Sequence, residues 1–117
     1  CVPVSALPAA IAAIEAIAER YELLIGTFGH AGDGNLHPTI VHDATSADRA
    51  AKAFDDILTA ALELGGTITG EHGVGRLKAH RLADELGPAG IRLQHAVKAA
   101  FDPAGILNPG AVLPPLP

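Results

Sequence analysis

Phe28-Gly29-His30-Ala31-Gly32-Asp33-Gly34-Asn35-Leu36-His37 is the stretch that decides how this chain folds. Asp-Gly between extended-looking residues is a strong short signal for a two-residue β-hairpin. With Asp33-Gly34 as the turn, Gly32 would face Asn35, Ala31 would face Leu36, and His30 would face His37. Directly opposed residues hold their Cβ atoms roughly 5 Å apart on one face of the ladder. At that spacing two imidazoles can reach one metal ion and leave room for further ligands.

Outward from the hairpin, the pattern predicts an α+β domain. Upstream, Leu7, Ile11, Ile14, Ile17, Ala18 and Tyr21 recur at helical spacing. They predict an amphipathic helix of about 15 residues, with Ser5 as its cap and Pro8 in its first turn. Residues 1–4 read as the end of a strand, 23–28 as the first hairpin strand and 35–41 as the second. Thr45 followed by Asp48 resembles a capping box. It would open a helix that buries Ala50, Phe54, Ile57, Leu58 and Ala61 and stops at Gly65-Gly66. Residues 67–69 form a short β-like run. Residues 76–86 read as irregular helical turns. Pro88 opens a last helix with Ile91, Leu93, Ala96, Val97, Ala100 and Phe101 as its apolar positions, ended by Asp102-Pro103. His42, His80 and His95 read as ordinary solvated residues.

The composition narrows the function classes. The 117 residues suffice for one domain with a modest core, and 49% apolar content with 3% aromatics predicts an aliphatic globular one. A formal charge of −5 with no basic cluster argues against nucleic acid and anionic membrane surfaces as partners. No apolar run approaches the ~20 residues that span a bilayer. Cys1 is the single cysteine, so no internal disulfide can form. The absence of Met predicts a piece excised from a longer protein.

Gly70-Glu71-His72-Gly73-Val74-Gly75 is the second unusual stretch. Three glycines in six residues permit special backbone angles and close approach by another group. Glu71 with His30 and His37 makes a two-His, one-carboxylate set suited to Zn²⁺, Mn²⁺, Fe²⁺ or Co²⁺, with coordination positions left open. His72, next to Glu71, is placed to take a proton. Such a site supports either attack of a metal-bound water on a carbonyl or loss of a hydroxyl proton as hydride leaves the adjacent carbon. The second chemistry needs a hydride acceptor, and the chain carries no GxGxxG fingerprint to bind a dinucleotide one.

Together with Ile106-Leu107-Asn108-Pro109-Gly110, these motifs resemble, in order and spacing, the C-terminal part of FAD-linked oxidases. The nearest group is that of glycolate oxidase FAD subunits, D-lactate dehydrogenases and D-2-hydroxyglutarate dehydrogenases. The resemblance implies a substrate-binding cap built on a ferredoxin-like α/β sandwich, with an antiparallel sheet and additional C-terminal helices. It implies metal ligation by His30, His37 and Glu71, a base at His72, and Asn108 near the flavin ring. Residues 1–101 would belong to the cap and 102–117 would return toward an FAD domain of the same full-length protein, which binds most of the FAD. The small substrate would be a 2-hydroxy acid.

Ala111 stands where many members have Lys, and Thr39 where some have Asn; both bear on substrate identity. By itself the chain is expected to bind metal weakly or moderately, to be catalytically inactive, and to dimerise through an exposed strand edge. The expected location is the cytoplasm, with partner subunits able to hold the protein at a membrane. The rival readings are a self-contained metal-dependent hydrolase and a non-enzymatic metal-binding module.

Overall fold

The computed structural model describes residues 1–116 as an α+β chain. A 3₁₀ turn, Val4–Ala6, leads into α1, Leu7–Tyr21. Strands β1, Leu24–His30, and β2, Asn35–Val41, follow, then α2, Ala47–Glu63. A second 3₁₀ turn, Ala79–Arg81, precedes α3, Leu82–Phe101. The chain forms two compact units, Cys1–Glu71 and His72–Pro117.

In the first unit β1 and β2 form a two-stranded antiparallel sheet, with α1 against β1, α2 against β2, and the two helices against each other. Ala10, Ile14 and Ile17 of α1 and Ala50, Ala53 and Leu58 of α2 are buried. The alanines keep the helices close, and Ala53 has no exposed surface at all. Each isoleucine sealed there contributes roughly 1.5–3 kcal/mol of transfer free energy. Across the outside of the pair, Arg20 and the Tyr21 hydroxyl both donate to Asp56, at 3.1 and 2.9 Å.

The expected outer strands do not become regular ladders, although their backbones are hydrogen-bonded. Cys1 O accepts from Thr67 N–H at 2.9 Å, and Val2 N–H donates to Gly34 O at 3.0 Å. Residues 1–2 therefore lie between residue 67 and the end of the hairpin turn. Pro3 has no N–H to continue the pairing. The order α1, β1, β2, α2 between two hydrogen-bonded end segments follows that of a ferredoxin-like sandwich without its outer strands.

The hairpin register differs from the one that a two-residue turn dictates. The turn spans four residues, 31–34, so His30 faces Asn35 and Phe28 faces His37. Asp33 explains the longer turn. Its N–H donates to His30 O, and its Oδ1 accepts the N–H of Asn35 at 3.1 Å, an Asx turn that closes on residue 35. Gly34 supplies the left-handed backbone, with φ of 75°, and a Cβ there would stand 1.9 Å from Val2 O.

Two helix caps also differ. Ser5 falls inside the 3₁₀ turn, and Ala6 occupies the N-cap of α1 with no side-chain hydrogen bond. The Thr45/Asp48 capping box does not form. Asp43 gathers the start of α2 instead: its Oδ1 accepts from the N–H groups of Thr45 and Ser46 and from both their hydroxyls. These bonds, the Thr45 hydroxyl's first, lower the Asp43 carboxyl from its ordinary 3.8 to about 2.

The second unit follows the pattern more closely. Gly87, at φ 64° and ψ 175°, breaks α3, and Pro88 opens its longer segment. Ile91 is buried, but Leu93, Val97 and Phe101, expected among the packing positions, are at least half exposed. Periodicity shows which residues share a face, not whether anything covers it. His95 is half-buried rather than solvated, its Nε2 2.8 Å from Pro114 O, whereas His42 and His80 are exposed as expected. No helix among the described residues is long and apolar enough to cross a membrane.

Asp43 makes a measurable contribution of predictable sign. Its folded pKa is depressed, so its stabilisation is complete above about 3.8 and is lost as pH falls through about 2. Asp43→Ala should therefore lower the melting temperature by a few degrees near pH 6. The gap from the parent chain should close progressively between pH 4 and 2, as followed by circular dichroism.

Candidate metal centre

Alternation along a strand sends residues 28 and 30 of β1 to the same face as 35, 37 and 39 of β2. A register shift of two residues preserves that face, whereas a shift of one would have turned the imidazoles to opposite sides. His30 and His37 are thus diagonal neighbours instead of direct partners. Their rings still meet edge to face, with centroids 5.4 Å apart and planes at 89°.

Glu71 completes the group from the end of the first unit. Its Oε1 lies 3.5 Å from His37 Nε2 and 3.8 Å from His30 Nε2. One donor atom from each of the three residues falls within 4.8 Å of the others. His37 is the most enclosed, with 24% of its side chain exposed against 60% for His30 and 54% for Glu71. The cluster is therefore anchored at one imidazole and open to an incoming ligand at the other two.

Asn35 is what brings the acid to the hairpin. It is 6% exposed, and it sits between the two histidines on their shared face. A Cβ at Gly70 would stand 2.3 Å from Asn35 Oδ1. Only a glycine lets the backbone just before Glu71 lie against that amide. The sequence signal was available, since Asn35 directly follows the turn, but a motif read for its histidines gives the amide no task.

These donors suit a divalent ion. Bonds of ~2.1 Å place neighbouring ligands roughly 3.0–3.4 Å apart, so the two histidine–glutamate separations need to close by only a few tenths of an ångström, while the donor set as a whole, spread over as much as 4.8 Å, needs a modest side-chain rearrangement. Two imidazoles and one carboxylate match borderline metals such as Zn²⁺, Mn²⁺ or Fe²⁺ and leave positions for a substrate oxygen.

The remaining two candidates, His72 and Asn108, are exposed and belong to the second unit. His72 follows Glu71 directly. Asn108 has a left-handed φ of 47° in the turn before Pro109. Buried Asp102, at the end of α3, organises the approach to that turn by accepting the N–H groups of Ile106 at 3.0 Å and Leu107 at 2.9 Å. Lys98 pairs with the same carboxylate and is the main cause of its lowered pKa. Its Nζ also donates to Leu107 O at 2.8 Å. Asp102 was read from the sequence only as a helix terminator.

Residues 1–112 match the family described as FAD linked oxidases, C-terminal domain. The chain is 54% identical over 112 residues to glycolate oxidase subunit GlcD of Bacillus subtilis, covering 93% of this chain and 24% of that protein. It is 42% identical over 118 residues to the Escherichia coli K12 subunit of the same name, covering 98% and 24%. It is 38% identical over 116 residues to the probable mitochondrial D-lactate dehydrogenase of Danio rerio, covering 97% and 23%. The chain thus spans about a quarter of the length of these curated relatives.

Titrating the chain with Zn²⁺ or Mn²⁺ in a calorimeter should show one equivalent bound, weakening in acid as the imidazoles take up protons. His37→Ala or Glu71→Gln should weaken binding at least tenfold. Gly70→Ala should weaken it too, without removing a ligand, because its methyl displaces the Asn35 amide.

Proposed function

Because this chain belongs to the family of C-terminal domains of FAD-linked oxidases, we propose that it is the substrate- and metal-binding part of a flavin-dependent 2-hydroxy-acid dehydrogenase. The observation that carries the reading is the convergence of His30, His37 and Glu71 in a chain whose relatives are named for glycolate and D-lactate. In the full-length protein, residues 1–101 form the cap portion and 102–117 return toward the FAD domain, which binds most of the flavin.

His30, His37 and Glu71 hold a divalent ion on the open face of the hairpin. When bound, that ion supplies positive charge opposite the substrate's carboxylate and 2-hydroxyl, and FAD supplies the hydride acceptor. His72 takes the hydroxyl proton on an imidazole nitrogen while the C2 hydrogen departs with its electron pair, leaving a 2-oxo acid. Asn108 would lie by the flavin ring, where its side-chain amide could hydrogen-bond. Neither the proton acceptor nor the metal donors can oxidise anything alone, so the separate chain is inactive.

The test is made in the full-length flavoprotein. His72→Ala should lower kcat at least 10²-fold with glycolate or D-lactate, while flavin and metal content stay at parent levels. Turnover within twofold of the parent, or hydrolysis of esters without flavin, would contradict the assignment.

A further inference from the structure

Loop residues 72–76 and the turn around Asn108 are separated by more than thirty residues, yet two contacts join them within the second unit. Val112 N–H donates to Gly75 O at 2.7 Å. Beside that bond, Arg76 spreads its guanidinium over two successive carbonyls, with Nη2 2.9 Å from Pro109 O and Nη1 3.4 Å from Gly110 O. The planar fork of Arg suits such a paired seat, and a lysine ammonium does not. Glycine suits the seat: residue 110 has φ of 74°, and a Cβ there would crowd Arg76 Nη1 at 3.2 Å.

Asn108 is therefore restrained from both sides. Before it, Asp102 and Lys98 hold residues 106 and 107 to the end of α3. After it, Arg76 holds 109 and 110 to the loop that begins at His72. Arg76 is exposed, so hydrophobic burial does not account for its place. What the fork fixes is the placement of the Asn108 turn relative to the His72 loop.

We propose that Arg76 is a positioning residue for the reaction: by clasping the carbonyls of Pro109 and Gly110 it sets Asn108 in register with His72. The inference rests on the roles given to His72 and Asn108 above. A misplacement of about 1 Å in groups that must act together can cost roughly 10²-fold in rate, even when no reacting group is removed.

Stopped-flow reduction of the bound flavin in the full-length protein tests this. With saturating 2-hydroxy acid, Arg76→Ala should slow flavin reduction roughly 30- to 100-fold. The substrate concentration at half-saturation and the metal content should move less than threefold. Arg76→Lys should recover only part of the loss, and millimolar guanidinium should restore part of the rate to Arg76→Ala. Gly110→Ala keeps the arginine and crowds its seat, so it should slow the same step by a smaller factor. It serves as the test if Arg76→Ala loses its flavin. A reduction rate within twofold of the parent in Arg76→Ala, or in Gly110→Ala where that variant stands in, overturns the proposal. If His72→Ala and Asn108→Ala still slow reduction, the functional reading survives that result. If neither slows it, the reading fails and the proposal with it.

Discussion

A β-ladder offers side chains to one face or the other with a period of two, and the site of this chain depends on that parity. His30 and His37 meet because both fall on the open face of the hairpin, with Asn35 between them in the ladder. Any turn that adds or removes an even number of residues would keep them there. An odd change would send one imidazole toward α1. The four-residue turn, pinned by Asp33 and Gly34, sets the separation, and the face is fixed more robustly than the register.

The acid arrives by a different device. Glu71 belongs to no strand or helix, so repetitive hydrogen bonding cannot place it. It is placed by close packing: the bare backbone of Gly70 lies against the Asn35 amide, and residue 67 is tied to Cys1. Hairpin and acid thus have separate supports within one compact unit. The second unit repeats the strategy with Asp102, Lys98 and Arg76, all of which spend their polar atoms on loop backbone.

Much of this was legible in the sequence. The bounds of β2, the 15 residues of α1, the stop at Gly65 and the break before Pro88 followed from period, glycine and proline. The gathering of His30, His37 and Glu71 was expected from residue type, and the parity of the hairpin puts its two imidazoles on one face. The register did not, because Asp33-Gly34 fits both a two-residue turn and the last half of a longer one, and the choice lies in a side-chain hydrogen bond. The capping of α2 differs from the expected box for a similar reason. Asp43, Thr45 and Ser46 can all cap, and only their competition in space selects Asp43. The contacts of Asp102 and Arg76 were illegible because each spends its polar atoms on loop backbone, whereas Asn35 stands in plain view after the turn and only its contact with distant Gly70 is hidden.

The most direct test of the account is X-ray absorption at the zinc edge of the chain loaded with one equivalent of Zn²⁺. Two imidazoles and one carboxylate oxygen should appear in the coordination shell, with open positions filled by light solvent atoms, and His30→Ala should remove one imidazole from it. A shell without imidazole scattering, or one unchanged in His30→Ala, would show that the hairpin face does not hold the ion.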